Sequence, residues 1–183
     1  MVTSQQQARD TAATSLTEEE FSAFLVDRLE SSYRTARLLL RNDHDAQDAT
    51  QDALVAAWRA RRSLRHPERV EAWFRRTLLN ACRERLRRHA RRRTVPIDSD
   101  HLHSRQDPFR ATDERDVIER AFVALNADQR IAVVLRYYED LTVEEIARLV
   151  EAPIGTVKSR LHHSLANLRS LLQREYEQLG DRK

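Results

Sequence analysis

Apolar residues recur three and four positions apart along most of this chain, and no stretch alternates apolar and polar residues as a half-buried strand would. The pattern predicts helices. The first starts at Thr17, where Thr17 and Glu20 form a capping box, the hydroxyl and the carboxylate each satisfying an orphan backbone donor. Its apolar stripe runs through Phe21, Phe24, Leu25, Leu29, Tyr33, Ala36 and Leu40. After a turn at Asn42-Asp43, a second helix is expected over residues 44–62. It offers Ala46, Ala49, Ala53, Leu54, Ala57 and Trp58 for packing and carries Asp45, Asp48 and Asp52 on the opposite side. The polar stretch at 63–68 is a loop, and the third helix after it packs through Val70, Trp73, Phe74, Leu78, Ala81 and Leu86.

Periodicity then lapses. RTVPIDSDHLHSRQDPFRAT has two prolines and many polar residues, which marks a flexible linker, and residues 1–15, rich in Gln, Thr, Ser and Ala, read as a disordered tail. Helical spacing resumes near Asp113 with Val117, Ile118, Ala121, Phe122 and Leu125, and Asn126 with Gln129 caps a helix bearing Ile131, Val134, Leu135 and Tyr138. Thr142 and Glu145 form another capping box ahead of Val143, Ile146, Ala147 and Val150. That short helix stops near residues 151–153, because Pro153 cannot continue it but tolerates the first turn of the next. The final helix lines one face with Ile154, Val157, Leu161, Leu165, Leu168 and Leu172, leaving Thr156, Lys158, Ser159, Arg160, His162 and His163 pointing largely outward. The expected fold is all-α, with two small helical domains (16–93 and 113–175) joined by the linker 94–112, the second containing a helix-turn-helix, and with tails at 1–15 and 176–183.

Composition narrows the chemistry. The 183 residues contain only two glycines, Gly155 and Gly180, so no glycine-rich loop is available to cradle a nucleotide phosphate. Cys82 stands alone and can form neither an internal disulfide nor a cysteine-based zinc site, which fits a reducing compartment. His101 and His103 lack a clustered carboxylate or thiol partner set, and the seven histidines form no catalytic constellation. Neither a metal nor a cofactor is expected, and an enzyme is disfavoured. Without an apolar run of about 18 residues or a hydrophobic N-terminal signal core, the chain is expected to be cytoplasmic, with no membrane insertion.

The net charge of +3 hides an asymmetry. Between Arg59 and Arg93 there are 14 arginines against three acids, a local balance of +11 set against −8 for the remainder. A cationic helix or a polar helix face is often merely solvated, but here two such surfaces occur in one chain. One is arginine-rich. The other projects hydroxyls, a lysine and imidazoles from a helix-turn-helix, types suited to phosphates and base edges. Two functions fit: a subunit that reads DNA at two places, or a stand-alone transcriptional regulator whose N-terminal helices sense a ligand or dimerise. An acidic face at Asp48 to Asp52 ahead of an arginine-rich helix favours the first.

The order of the parts, LLLRNDHDAQDATQDALVAAWRA, HPERVEAWFRRTLLNACRERLRR, a linker, and ALNADQRIAVVLRYYEDLTVEEIARLVEAPIGTVKSRLHHSLANLR, resembles the extracytoplasmic-function (ECF) sigma factors of bacterial RNA polymerase. RYYEDL is similar to actinobacterial members in particular. The resemblance implies a partnership with core RNA polymerase through the β′ clamp helices and the β flap, with promoter DNA, and with an anti-sigma factor. It implies that Asp48, Gln51 and Asp52 dock the clamp helices with Trp58 packed behind them. The loop holding Arg65 and His66 would capture a flipped base of the minus 10 element. Trp73, Phe74, Arg75, Arg76 and Asn80 would touch the opened non-template strand, and Thr156, Lys158, Ser159, Arg160, His162 and His163 would read the minus 35 element. Glu151-Ala152 stands where the family often has glycine, and His163 where it often has arginine, which implies weaker DNA contacts by His163.

Overall fold

The computed structural model describes residues 16–64, 67–93 and 122–180, which fall into two compact units divided between residues 99 and 100. The expected N-terminal tail, the linker with His101 and His103, the helix bearing Val117, Ile118 and Ala121, and loop residues Arg65 and His66 lie outside the described residues. Among the described residues every regular element is an α-helix, as the periodicity requires. No helix there is long and apolar enough to cross a membrane.

The first unit packs three helices against one another: α1 (Glu18–Leu40), α2 (Asp43–Ala60) and α3 (Pro67–Arg93). The capping box forms as expected, Glu20 N–H donating to Thr17 Oγ1 at 3.2 Å and Thr17 N–H to Glu20 Oε2 at 2.8 Å. α1 stops at Arg41, which takes the left-handed conformation with φ 57°, and Asn42 caps α2 by accepting from the Asp45 N–H at 2.9 Å. The tight reversal brings α1 and α2 face to face. Their interface uses small residues: Ala46, Ala49, Ala53 and Ala57 from α2 are all buried, as are Ser32, Thr35, Ala36 and Leu39 from α1. Leu29, expected in the α1 stripe, is half exposed. The buried hydroxyls cost little, since Thr35 donates to the Ser31 carbonyl at 3.0 Å and Thr50 to the Ala46 carbonyl at 2.8 Å. Phe21, Val70, Phe74, Leu78, Leu79 and Cys82 complete the core.

The second unit comprises α4 (Ala127–Tyr137), α5 (Val143–Val150) and α6 (Ile154–Gly180). Both predicted capping boxes are present, Asn126 with Gln129 and Thr142 with Glu145. The core gathers Leu125, Ile131, Val134, Leu135, Leu141, Ile146, Val150, Val157 and Leu161. α6 remains helical through Gly180 and so runs into the expected C-terminal tail. Its buried line is Val157, Leu161 and Ser164, whereas Ile154 and Leu165 are exposed. For Leu165 the reason is length. α4 and α5 have 11 and 8 residues against 27 in α6, about 16 and 12 Å against about 40 Å at 1.5 Å per residue, so they cover only part of the long helix.

Candidate functional site

The turn between α5 and α6 determines what α6 can present. Glu151 closes α5 in the left-handed region at φ 55°, the Ala152 N–H returns to the Ala147 carbonyl at 3.0 Å, and Pro153 accepts from Thr156 and Val157 at 2.9 and 3.2 Å. The backbone is satisfied within three residues, so the first turns of α6 emerge with Val157 and Leu161 inward and Thr156, Lys158, Ser159, His162 and His163 exposed. The two imidazoles stand edge to face with centroids 5.6 Å apart. Arg160 departs from the expected outward set: its guanidinium bonds the Asp128 carboxylate in the first turn of α4, ties two helices together and is mostly covered.

On α3 the expected DNA contacts separate. Phe74 is 2 % exposed and lies edge-on to Phe24 at 5.9 Å, which removes it from any strand-contacting surface. Adjacent helical positions lie about 100° apart, so Phe74 points into the core while Trp73 sits at its edge. Trp73 is half-buried. Arg75 is half-buried as well and pairs with Glu71 at 3.1 Å, while Glu71 also meets Arg28 of α1 at 3.0 Å. Arg76 and Asn80 are exposed, and with Arg69 and Arg87 they share a side at spacings of seven, four and seven. This is the cationic line that α3 offers to solvent.

The acidic face of α2 is more than a solvated surface. Asp52 Oδ2 lies 2.8 Å from Arg85 Nη2, Asp48 4.0 Å from the same nitrogen, and Asp45 2.7 Å from His89 Nε2, so α3 braces α2 along its length. His44 adds a 3.5 Å contact to Asp48. Asp48, Gln51 and Asp52 nevertheless remain open to a partner on their outer side, Asp52 with 66 % of its side chain exposed. Trp58, further along the same helix, is 36 % exposed. The Arg61 guanidinium lies 4.3 Å from its ring centroid, donates to the Trp58 carbonyl at 3.0 Å and reaches Glu18 at 3.8 Å. The Arg85 brace escaped the sequence reading, although a signal existed: Arg85 falls three residues after Cys82 and seven after Leu78, on the buried stripe of α3. Next to it, burial pushes the Cys82 thiol up to about 12, outweighing the lowering influence of Arg85.

The family model described as Sigma-70 region 2 matches residues 21–92, and that of Sigma-70, region 4, matches residues 115–168. The ECF RNA polymerase sigma factor SigM of Mycobacterium tuberculosis is 35% identical over 140 residues, covering 76% of this chain and 70% of that protein. The RNA polymerase sigma-E factor of Streptomyces avermitilis is 33% identical, covering 84% and 86%. Among solved structures, the sigma factor RpoE from Bartonella quintana, in complex with the anti-sigma factor NepR, superposes with a TM-score of 0.68 at 28% identity, over 85% of this chain and 98% of that one. Two sigma regions in one chain set aside the stand-alone regulator. The chain belongs to the ECF RNA polymerase sigma factors of the sigma-70 family, which direct promoter-specific initiation of transcription.

Proposed function

We propose that the two units divide the work of initiation as follows: α2 docks core polymerase through Asp48, Gln51, Asp52 and Trp58, α3 holds the opened minus 10 strand, and α6 reads the minus 35 duplex. The observation that carries this reading is the exposed line Thr156, Lys158, Ser159, His162 and His163 on a helix projected by a three-residue turn. Lysine supplies phosphate neutralisation, while hydroxyls and imidazoles fit base edges in the major groove. On α3, Arg76 and Arg87, eleven residues or about 16 Å apart along the helix, suit separated phosphates of one strand and Asn80 a base edge. Arg65 and His66 belong to the loop that takes up a flipped base. Unstacking that base costs a few kcal/mol, which a cationic wall and a pocket offset.

The carboxylates of α2 suit a basic surface such as the β′ clamp helices, and the second unit suits the β flap. An anti-sigma factor is the regulator this reading favours, supported by the complex in which the RpoE relative was solved. The subunit itself performs no catalytic step and works in the cytoplasm beside the chromosome. Run-off transcription with purified core polymerase tests the whole: specific transcripts that depend on the added chain are expected. No transcript from any genomic promoter, together with no stable complex with core, would refute it.

A further inference from the structure

Among the described residues Arg85 is the one charged side chain in the core. Its side chain is 8 % exposed, and its guanidinium reaches out of the α3 stripe between Cys82 and Leu86 toward α2. Nη2 meets Asp52 at 2.8 Å and lies 4.0 Å from Asp48, and Nη1 donates to the Ala81 carbonyl at 3.3 Å. Withdrawing an arginine from water is expensive, and an apolar residue of the same volume would pack this position without that cost. A role confined to stability therefore leaves its chemistry unexplained. The geometry of the acids supplies a reason. Arg85 grips Asp52 and Asp48 from the inner side, while both carboxylates keep an outer side in solvent, and Gln51 lies on the same exposed edge.

We infer that Arg85 is a positioning residue for core polymerase: it fixes the rotamers of Asp52 and Asp48 so that the basic partner surface meets carboxylates already in place. The inference rests on the assignment of the α2 face to core binding. Free carboxylate side chains lose rotamer freedom when a partner immobilises them, and a group that has already ordered them removes that cost from binding. Arg85 does this from behind, Nη2 donating to Asp52 at 2.8 Å and holding Asp48 by charge at 4.0 Å, while Nη1 is anchored on the Ala81 carbonyl. An apolar residue at 85 would release Asp52 and leave Asp48 with only its His44 contact. A lysine would keep the charge but lose the fork.

A double-mutant cycle on the full-length chain tests this, with affinity for core RNA polymerase and thermal unfolding of the free chain measured for Arg85→Met, Asp52→Asn and the pair. Arg85→Met is expected to weaken core binding by about tenfold, or 1.4 kcal/mol, in the parent chain and by clearly less beside Asp52→Asn, because the second change removes the carboxylate that Arg85 holds most closely. Equal losses on both backgrounds would mean that Arg85 only stabilises the fold, and unchanged or tighter binding would mean that its charge merely offsets the acids; either overturns the inference. If Asp52→Asn together with Asp48→Asn leaves core affinity intact, the docking assignment falls and this inference with it, whereas a loss there combined with additivity at Arg85 overturns the inference alone. Should Arg85→Met fail to fold, Arg85→Lys enters the same cycle, with a smaller loss expected and additivity again the overturning result.

Discussion

Replacing Phe74 by leucine separates the core role that periodicity gives it from the DNA-contacting role that the family resemblance implies. Phe74 is 2 % exposed and lies edge-on to Phe24 with centroids 5.9 Å apart. Leucine removes that aromatic pair, about 0.5–1.5 kcal/mol beyond area burial, and leaves a misfit of about 1 kcal/mol in the surrounding packing. The sum is about 2 kcal/mol. A domain of 60 to 100 residues loses about 4–8 °C of Tm for each kcal/mol, so Phe74→Leu should melt about 8–16 °C lower. Alanine is the poorer choice, since about 3–5 kcal/mol would consume much of the about 5–15 kcal/mol that holds a domain folded. The assay pairs thermal unfolding by circular dichroism with anisotropy of a labelled minus 10 single strand bound to holoenzyme, well below the melting range. The expected result is a lower Tm with strand affinity unchanged. An unchanged Tm together with about tenfold weaker strand binding, the loss expected of a base stacked on the ring, would refute the core placement of Phe74.

Three further outcomes follow from the same geometry. The Cys82 thiol, pushed up to about 12 by burial from an ordinary value of 9.0, stays neutral and covered. Thiol reagents should therefore modify it only in denaturant, and the stability it confers should be full below about pH 9 and fall as pH rises toward 12, a slope that Cys82→Ala removes; fast labelling of the native chain would contradict this. Asp128→Asn should cost about 0.2–1 kcal/mol by loosening the α4–α6 strut while leaving duplex affinity unchanged. A gain in duplex affinity would show Arg160 to be a held-back DNA contact. Lys158→Ala should weaken minus 35 duplexes of any sequence alike and lower the salt slope of binding by about one; loss confined to one sequence would make Lys158 a base reader.

The features legible in the sequence are those that depend on residues close together along the chain. Thr17 with Glu20, Asn126 with Gln129 and Thr142 with Glu145 each form the capping box their spacing predicts, because a cap closes over three residues whatever lies beyond. The same locality makes the helix-turn-helix readable, with Glu151 and Pro153 ending one helix and opening the next, and with Lys158, Ser159, His162 and His163 outward. Which of two neighbours turns inward, as between Trp73 and Phe74, or which arginine becomes a strut, as Arg160 does against Asp128, depends on a facing helix whose register no local pattern encodes. Arg85 is the clearest case. As sequence it is one of 14 arginines in a cationic run, and only the packing of α3 on α2, which buries it behind Asp48 and Asp52, turns it from a surface charge into a brace. Local hydrogen bonds and periodicity select the elements. Cross-helix packing, where burying a charge demands a partner, decides what each charged residue does.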